Sequence, residues 1–301
     1  MGRGGPPGPD GLVVVDKEPG WTSHDVVAKS RGLLGTRKVG HSGTLDPDAT
    51  GVLLLGVGRV TRLLRFLGLF PKRYTGVVVL GTATSTLDAS GEVTGTWDMT
   101  GVDVEAVRQA AGALIGDILQ VPPMVSAVKV DGRRLHELAR EGVEVERAAR
   151  PVTVHELLVG EPIEPGAFPI EVSCSSGTYI RTLAADLGTA LGGGAHLRDL
   201  RRTAIGSFTP DEAVTVEGIT PDRLLSPAAA LRDLPAVSVG AAEVEAVGHG
   251  KVLPLDALGL SPGSEGPWPV LDEQGALIAV YEPHRDGQAK PAVVLAPASN
   301  A

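Results

Sequence analysis

Short apolar runs separated by glycine and proline recur along the chain and predict β-strands. The clearest runs lie at 12–15, 52–55, 74–80, 152–159 and 170–174, with a further one at 126–130. Apolar residues at helical spacing predict helices at 23–34, 61–67, 104–114 and 179–191, and a surface helix at 135–141. This mixture of strands and helices indicates an α+β protein.

The composition changes near 231–235, where cations become rare and acids and prolines accumulate. Beyond this point short apolar runs alternate with Gly and Pro turns, a pattern that predicts a small β-barrel. We therefore expect a disordered lead at 1–11, a large domain at 12–234 and a small domain at 235–301.

The net charge of −9 disfavours a polyanionic partner for the chain as a whole, but the charge is unevenly distributed. Residues 29–73 hold nine Lys or Arg and two acids, whereas residues 209–301 hold five bases and thirteen acids. The first region suits a polyanion, although a solvated basic face would have the same composition. Arginines 198, 201 and 202 also suit phosphates, and the triple glycine at 192–194 predicts a flexible hinge.

The single cysteine, Cys174, excludes an internal disulfide framework and fits a reducing cytoplasm. No apolar run approaches the roughly 18 residues of a membrane span, so no membrane partner is expected. Neither a P-loop nor a strand-linked GxGxxG motif occurs, which disfavours nucleotide-cofactor enzymes.

Asp46 lies in the stretch 37–62, between glycines that permit unusual backbone angles and Pro47, which restricts the conformation of Asp46. The buried run that begins at Val52 follows directly. A carboxylate on a stiff loop next to a buried strand is well placed to act as a reactive group. The alternative is a structural Asx turn before proline, which is the commoner role of an Asp-Pro pair.

Several segments resemble the TruB-type tRNA pseudouridine synthases. The longest is Gly40-His-Ser-Gly-Thr-Leu-Asp-Pro-Asp-Ala-Thr-Gly-Val-Leu53, and further matches lie at 15–24, 72–76, 176–183 and 197–202. Glu18 stands where the family usually has proline. The resemblance covers most of residues 12–208 and implies a central mixed, mostly antiparallel sheet flanked by helices. It also implies that 235–301 is a PUA-like RNA-binding module, although that stretch matches less specifically.

The resemblance further implies the roles of individual residues. Asp46 is the implied catalytic aspartate, Arg181 its ion-pair partner, and Tyr74 the ring that stacks on the target base and a candidate general base. From the sequence alone, Tyr74 is equally well explained as a core residue. Tyr179 and Leu200 are the implied further pocket contacts, and His41 is implied to occupy the space that flipped nucleotides leave in the RNA loop.

The implied substrate is uridine-55 in the TΨC stem-loop of tRNA, isomerised without metal or cofactor. The short chain favours a monomeric, stand-alone enzyme over one that uses a guide RNA. Arg133 and Arg134 fall in a region that contributes RNA contacts in the family.

Two other functions are also compatible with the sequence. The chain could be an RNA-binding protein in which Asp46 is structural. It could also be a retaining glycosidase with Asp48 as the second carboxylate, but that chemistry needs two carboxylates about 5 Å apart and leaves the basic region unexplained.

Overall fold

The computed structural model describes residues 8–126, 129–130, 133–134, 141, 143, 145–285 and 287–295. The large sheet contains β1 (Gly11–Lys17), β2 (Val39–Ser42), β3 (Thr50–Val57), β4 (Lys72–Leu80), β7 (Gly116–Gln120), β10 (Arg150–Val159), β11 (Ala167–Cys174) and β12 (Ala195–Ile205). Two small hairpins lie outside it: β5 (Thr82–Thr84) with β6 (Val93–Thr96), and β8 (Lys129–Val130) with β9 (Arg133–Arg134).

The strand order of the large sheet is β1-β3-β12-β4-β11-β10-β7, and β2 pairs with β3. The β3–β12 pair is parallel and the other pairs are antiparallel, so the predicted mixed, mostly antiparallel sheet is confirmed. The central strand β12 was not predicted, because its arginines interrupt the apolar pattern that marks a strand.

Three longer helices pack on this sheet or flank it: α1 (Ser23–Leu33), α3 (Val104–Gly112) and α4 (Ile180–Ala190). The short α2 (Leu64–Leu67) continues a 3₁₀ turn over Gly58–Leu63, and α5 (Pro227–Ala230) is a single turn. The first helix begins at a capping box. The Thr22 hydroxyl accepts from the Asp25 N–H, and the Asp25 carboxylate accepts from the Thr22 N–H. The predicted helices at 23–34, 61–67, 104–114 and 179–191 are therefore confirmed to within a few residues.

Residues 237–294 form a second, curled sheet with the order β13-β15-β16-β17-β14. Its strands are β13 (Val237–Ser238), β14 (Leu253–Pro254), β15 (Trp268–Leu271), β16 (Leu277–Pro283) and β17 (Gln288–Val294), accompanied by α6 (Ala241–Gly248). One side of it joins the core of the large domain, since Leu277 and Val280 cluster with Leu12 and Phe66. The domain limits themselves stay a prediction.

Two local expectations were wrong or incomplete. The triple glycine at 192–194 is a packed turn and not a flexible hinge: a Cβ on Gly193 would lie 2.4 Å from Met99 Sδ, and one on Gly194 would lie 2.3 Å from the Trp97 ring. Of the strand expected at 126–130, Lys129–Val130 is a strand and Ser126 is not, while residues 127 and 128 lie outside the described residues. The surface helix expected at 135–141 lies almost entirely outside the described residues.

Candidate active site

Asp46 lies in the loop between β2 and β3, and its carboxylate faces Arg181 from the start of α4. Arg181 Nε is 3.0 Å from Asp46 Oδ2, and Nη2 is 3.1 Å from Oδ1, so the contact is bidentate. The Arg181 side chain is 5% exposed, whereas that of Asp46 is 35% exposed. The pair therefore joins a buried cation to a carboxylate that other molecules can reach.

The Arg181 guanidinium is held on its remaining sides as well. Its Nη1 donates to the Thr86 carbonyl and its Nη2 to the Val125 carbonyl, each at 2.8 Å. Asp88 Oδ2 lies 3.4 Å from Nη1, which gives Arg181 a second carboxylate partner. Arg181 thus has little freedom to turn towards a phosphate.

The Asp46 loop is fixed from α1 and β1. Lys17, which is fully buried, donates to the carbonyl of Pro47 at 2.9 Å. The Ser23 hydroxyl accepts from the Leu45 N–H at 2.9 Å and donates to its carbonyl at 3.2 Å. The residues on both sides of Asp46 are therefore bonded to the scaffold, as a positioned reactive group requires.

Arg202 supports the same loop from β12, and the expectation that it binds phosphate was wrong. It is 1% exposed, and it donates to the carbonyls of Val52 at 2.7 Å, Gly43 at 3.2 Å and Thr44 at 3.4 Å. One guanidinium therefore satisfies two carbonyls of the loop and one of β3.

The other two arginines of β12 are also paired within the protein. Arg201 makes a bidentate contact with Asp16 at 2.7 and 3.0 Å, and Arg198 Nη2 lies 2.6 Å from Glu164. Their expected role as phosphate contacts therefore has no support in this geometry.

Two cavities share Asp46, Arg181 and Leu200 in their walls. The first has a volume of about 280 Å³ and also contains Tyr74 and Tyr179, together with the loop residues 43–45 and 176–178. The second, of about 400 Å³, is also lined by Asp48 and by residues 86 and 88–90. Five of the six predicted site residues thus meet at one cavity. His41, on β2, does not line either one.

Tyr74 is 8% exposed and lies on β4 directly opposite Arg202 on β12. Its neighbour Leu200 reaches the cavity because β12 contains a bulge between Arg198 and Arg201. Within the bulge Asp199 adopts a left-handed conformation with φ +55°. Bulges redirect side chains at functional sites, and this one turns Leu200 to the same cavity as Tyr74.

Burial raises the pKa of the Asp46 carboxyl above its ordinary value, and Asp88 and Asp48 act in the same direction. Arg181 and Lys17 oppose this shift because they favour the carboxylate. Burial also raises the pKa of the Tyr74 phenol, although Arg202 lowers it. Arg181 is therefore the group that most favours the carboxylate form of Asp46, and Tyr74 stays protonated at neutral pH.

His41 packs edge to face against His24, with ring centroids 5.3 Å apart. Burial lowers the pKa of His41 to about 4, and the neighbouring His24 and Arg202 add to the effect. His41 is therefore uncharged at neutral pH, so that any contact it makes with RNA is not an ion pair.

The cations at 29–73 divide into two groups, a distinction that the sequence did not show. Arg59 donates to the Leu295 carbonyl at 2.7 Å, Arg62 to the Val294 carbonyl at 2.6 Å, and Arg65 pairs with Glu282 at 2.6 Å. These three dock the C-terminal sheet. The exposed cations that do not contact this sheet are at positions 29, 31, 37, 38 and 73, and Lys72 belongs to neither group because it is buried and donates to the carbonyls of Gly68 and Phe70.

Sequence reasoning missed four residues of the site: Lys17 and Arg202, which hold the loop, and Asp88 and Gln120, which contact Arg181 and the backbone of Tyr179. Each contacts a partner at least 30 positions away in the chain. No local pattern could have found them, because their importance comes from tertiary contacts.

Within the part of the chain that the structure describes, no three His, Cys, Asp or Glu side chains are grouped as metal ligands. No described helix is long and apolar enough to cross a membrane.

Solved structures place this architecture in the pseudouridine synthase fold. The chain superimposes on a chain of the "Crystal Structure of a Cbf5-Nop10-Gar1 Complex" with a TM-score of 0.71 and 29% identity, covering 92% of this chain and 79% of that one. An archaeal box H/ACA sRNP Nop10-Cbf5 complex gives a TM-score of 0.72 at 24% identity over 96% of this chain and 87% of the other, which supports the fold alone. The fold defines an isomerase of the pseudouridine synthase class.

Family models then identify the family. Residues 31–180 match the TruB family pseudouridylate synthase N-terminal domain, and residues 181–229 match the tRNA pseudouridylate synthase B C-terminal domain. The chain belongs to the TruB family of pseudouridylate synthases. Proteins named tRNA pseudouridine synthase B from Rhodococcus jostii and Thermobifida fusca are 48% and 46% identical to it. The alignments cover 96% and 95% of this chain and 95% and 99% of those proteins.

Proposed function

We propose that this enzyme isomerises uridine-55 in the TΨC stem-loop of tRNA to pseudouridine, as a monomer without a guide RNA. The observation that carries the proposal is the Asp46 carboxylate, fixed by Arg181 and facing a cavity lined by Tyr74, Tyr179 and Leu200. The full-length similarity to proteins named tRNA pseudouridine synthase B supports tRNA as the substrate. The buried, unpaired Cys174 supports the cytoplasm as the compartment.

The reaction breaks the C1′–N1 glycosidic bond and forms a C1′–C5 bond, while a proton leaves C5 and N1 gains one. Product and substrate are isomers, so no other reactant is consumed. Asp46 supplies the carboxylate that traps or stabilises the sugar or the base while the uracil turns. Arg181 favours the ionised form of that carboxylate, in a site where burial favours the neutral form.

A uridine within a folded RNA loop must leave its stack before it reaches Asp46. Flipping costs a few kcal/mol and is offset by stacking against an aromatic ring in the pocket. Tyr74 is the ring next to Asp46 in the cavity, and Tyr179 and Leu200 complete the apolar wall. His41, which lies on β2 outside the cavity, is the residue that fills the space left in the RNA loop.

The deciding experiment incubates the purified chain with an unmodified tRNA transcript and maps isomerised uridines. We expect conversion at uridine-55 alone, and abolished conversion with nearly intact tRNA binding in Asp46→Asn. Asp222→Asn is the matched control, because Asp222 is exposed and lines neither of the two cavities. Substantial single-turnover conversion by Asp46→Asn would remove Asp46 from the chemistry, whereas tRNA binding without conversion by the wild-type chain would leave the RNA-binding alternative.

A further inference from the structure

Gln120, the last residue of β7, makes a two-point contact with the backbone of Tyr179. Its Oε1 accepts from the Tyr179 N–H at 2.9 Å, and its Nε2 donates to the Tyr179 carbonyl at 3.3 Å. The residue is 1% exposed, so water cannot replace either bond. A side-chain amide offers an uncharged donor and an uncharged acceptor side by side, so Gln120 pairs with the backbone of Tyr179 as a residue on a neighbouring strand would.

Tyr179 occupies the N-cap position of α4, where backbone donors lack partners within the helix. No side chain of the helix itself caps this end. The Tyr179 carbonyl also accepts from the Leu183 N–H at 3.1 Å, the first hydrogen bond of the helix. Gln120 thus fixes the residue from which α4 starts and the direction in which the Tyr179 side chain leaves the backbone.

Arg181 lies two residues after Tyr179, in the first turn of the same helix. Its Nη2 donates to the carbonyl of Val125, five positions after Gln120. The segment 120–125 therefore holds both the start of α4 and the guanidinium that faces Asp46. A shift at the Gln120 contact would move the cavity wall and the ion pair together.

We infer that Gln120 is a positioning residue for the isomerisation, acting through Tyr179 and Arg181 and not on the RNA. The inference rests on the proposed function. A displacement of about 1 Å in a positioned group costs on the order of 100-fold in rate. The loss should therefore fall on the chemical step, while tRNA affinity, which depends on surface contacts, changes little.

The test compares two substitutions in the full chain, using an unmodified tRNA transcript in single-turnover assays. Gln120→Met keeps the length of the side chain and removes both hydrogen bonds, and we expect a rate about 10- to 100-fold lower with a Kd within about 2-fold of wild type. Gln109→Met, at an exposed position on α3, is the matched control and should match wild type in both.

Gln120→Glu separates positioning from a general loss of folding. Its ionised carboxylate would accept from the Tyr179 N–H but repel the carbonyl, whereas the protonated form restores both bonds. We expect its rate relative to wild type to rise as the pH falls from about 8 to about 6, while the ratio for Gln120→Met stays flat. Thermal melts of both variants show whether the chain remains folded.

Three results would overturn the inference: a Gln120→Met rate equal to wild type, equal losses in rate and affinity, or a pH-independent ratio for a folded Gln120→Glu. An inactive wild-type chain would instead overturn the proposed function, so the two failures are distinguishable.

Discussion

The ammonium of Lys17 lies 2.9 Å from the carbonyl oxygen of Pro47, the residue that follows Asp46. Lys17 also donates to the carbonyls of Trp21 at 2.8 Å and Glu18 at 3.0 Å. Burial lowers the pKa of Lys17 to about 8, so at neutral pH a buried cation bonds to three carbonyl oxygens. This contact joins the end of the first strand to the loop that carries the reactive carboxylate.

Lys17→Met leaves these three carbonyl oxygens without their donor. We expect the free energy of unfolding to fall by about 2–4 kcal/mol and the isomerisation rate to fall with it. Urea denaturation and single-turnover assays measure the two effects. Lys290→Met, at an exposed position, is the control, and equal stability of the two variants would contradict the role of Lys17.

Arg181→Met removes the cation that makes a bidentate contact with Asp46 and favours its ionised form. We expect a loss of at least about 100-fold in the single-turnover rate, with a change of only a few-fold in the Kd for tRNA. Arg73→Met, which alters an exposed cation, serves as the comparison. If Arg181→Met weakened affinity as much as rate, Arg181 would be a phosphate contact.

Gly51→Ala tests how closely β12 approaches the start of β3. Gly51 has φ +102°, and a Cβ there would lie 2.2 Å from the Arg202 carbonyl oxygen. We expect a destabilisation of about 3 kcal/mol or more, measured by denaturant unfolding. Gly20→Ala has a similar φ of +82° but open space around the Cβ, so it should cost only about 1 kcal/mol. Equal costs would show that the close approach is unimportant.

His41 should make the fold sensitive to acid. Its pKa is about 4 in the folded state against an ordinary value of 6.5, so the unfolded chain binds a proton that the folded chain does not. Stability therefore falls as the pH drops from about 6.5 to about 4, by on the order of 1–3 kcal/mol. His41→Gln should flatten this part of the stability profile, whereas His155→Gln, at an exposed site, should not. Superimposable profiles for His41→Gln and wild type would contradict this account.

The double variant Arg59→Ala, Arg62→Ala removes two hydrogen bonds to the end of the C-terminal sheet. We expect faster amide hydrogen exchange over residues 277–295, while exchange over β3 and β4 stays near wild type. Arg223→Ala, which removes an exposed arginine, is the control. Unchanged exchange would mean that the shared apolar core alone holds the sheet in place.

The sequence by itself indicated the family, most strands and helices, and five of the residues that line the cavity. These signals are local: apolar periodicity, glycine and proline positions, and a run of residues around Asp46 that resembles one family. Five of the six predicted site residues meet at one cavity because they lie in the loop before β3, near the start of β4, at the start of α4 and at the bulge of β12.

Only the tertiary structure decided which cations remain free to meet RNA and which polar residues hold the site together. Composition counts charges but cannot show that Arg59 and Arg62 bind a sheet more than 200 residues further along, or that Arg202 is buried beneath the Asp46 loop. Composition likewise cannot show that Lys17 and Gln120 are buried and hydrogen-bonded to the backbone of the site. Each is polar and buried, and such a residue is stable only when its partners are supplied by distant segments, which the fold alone brings together.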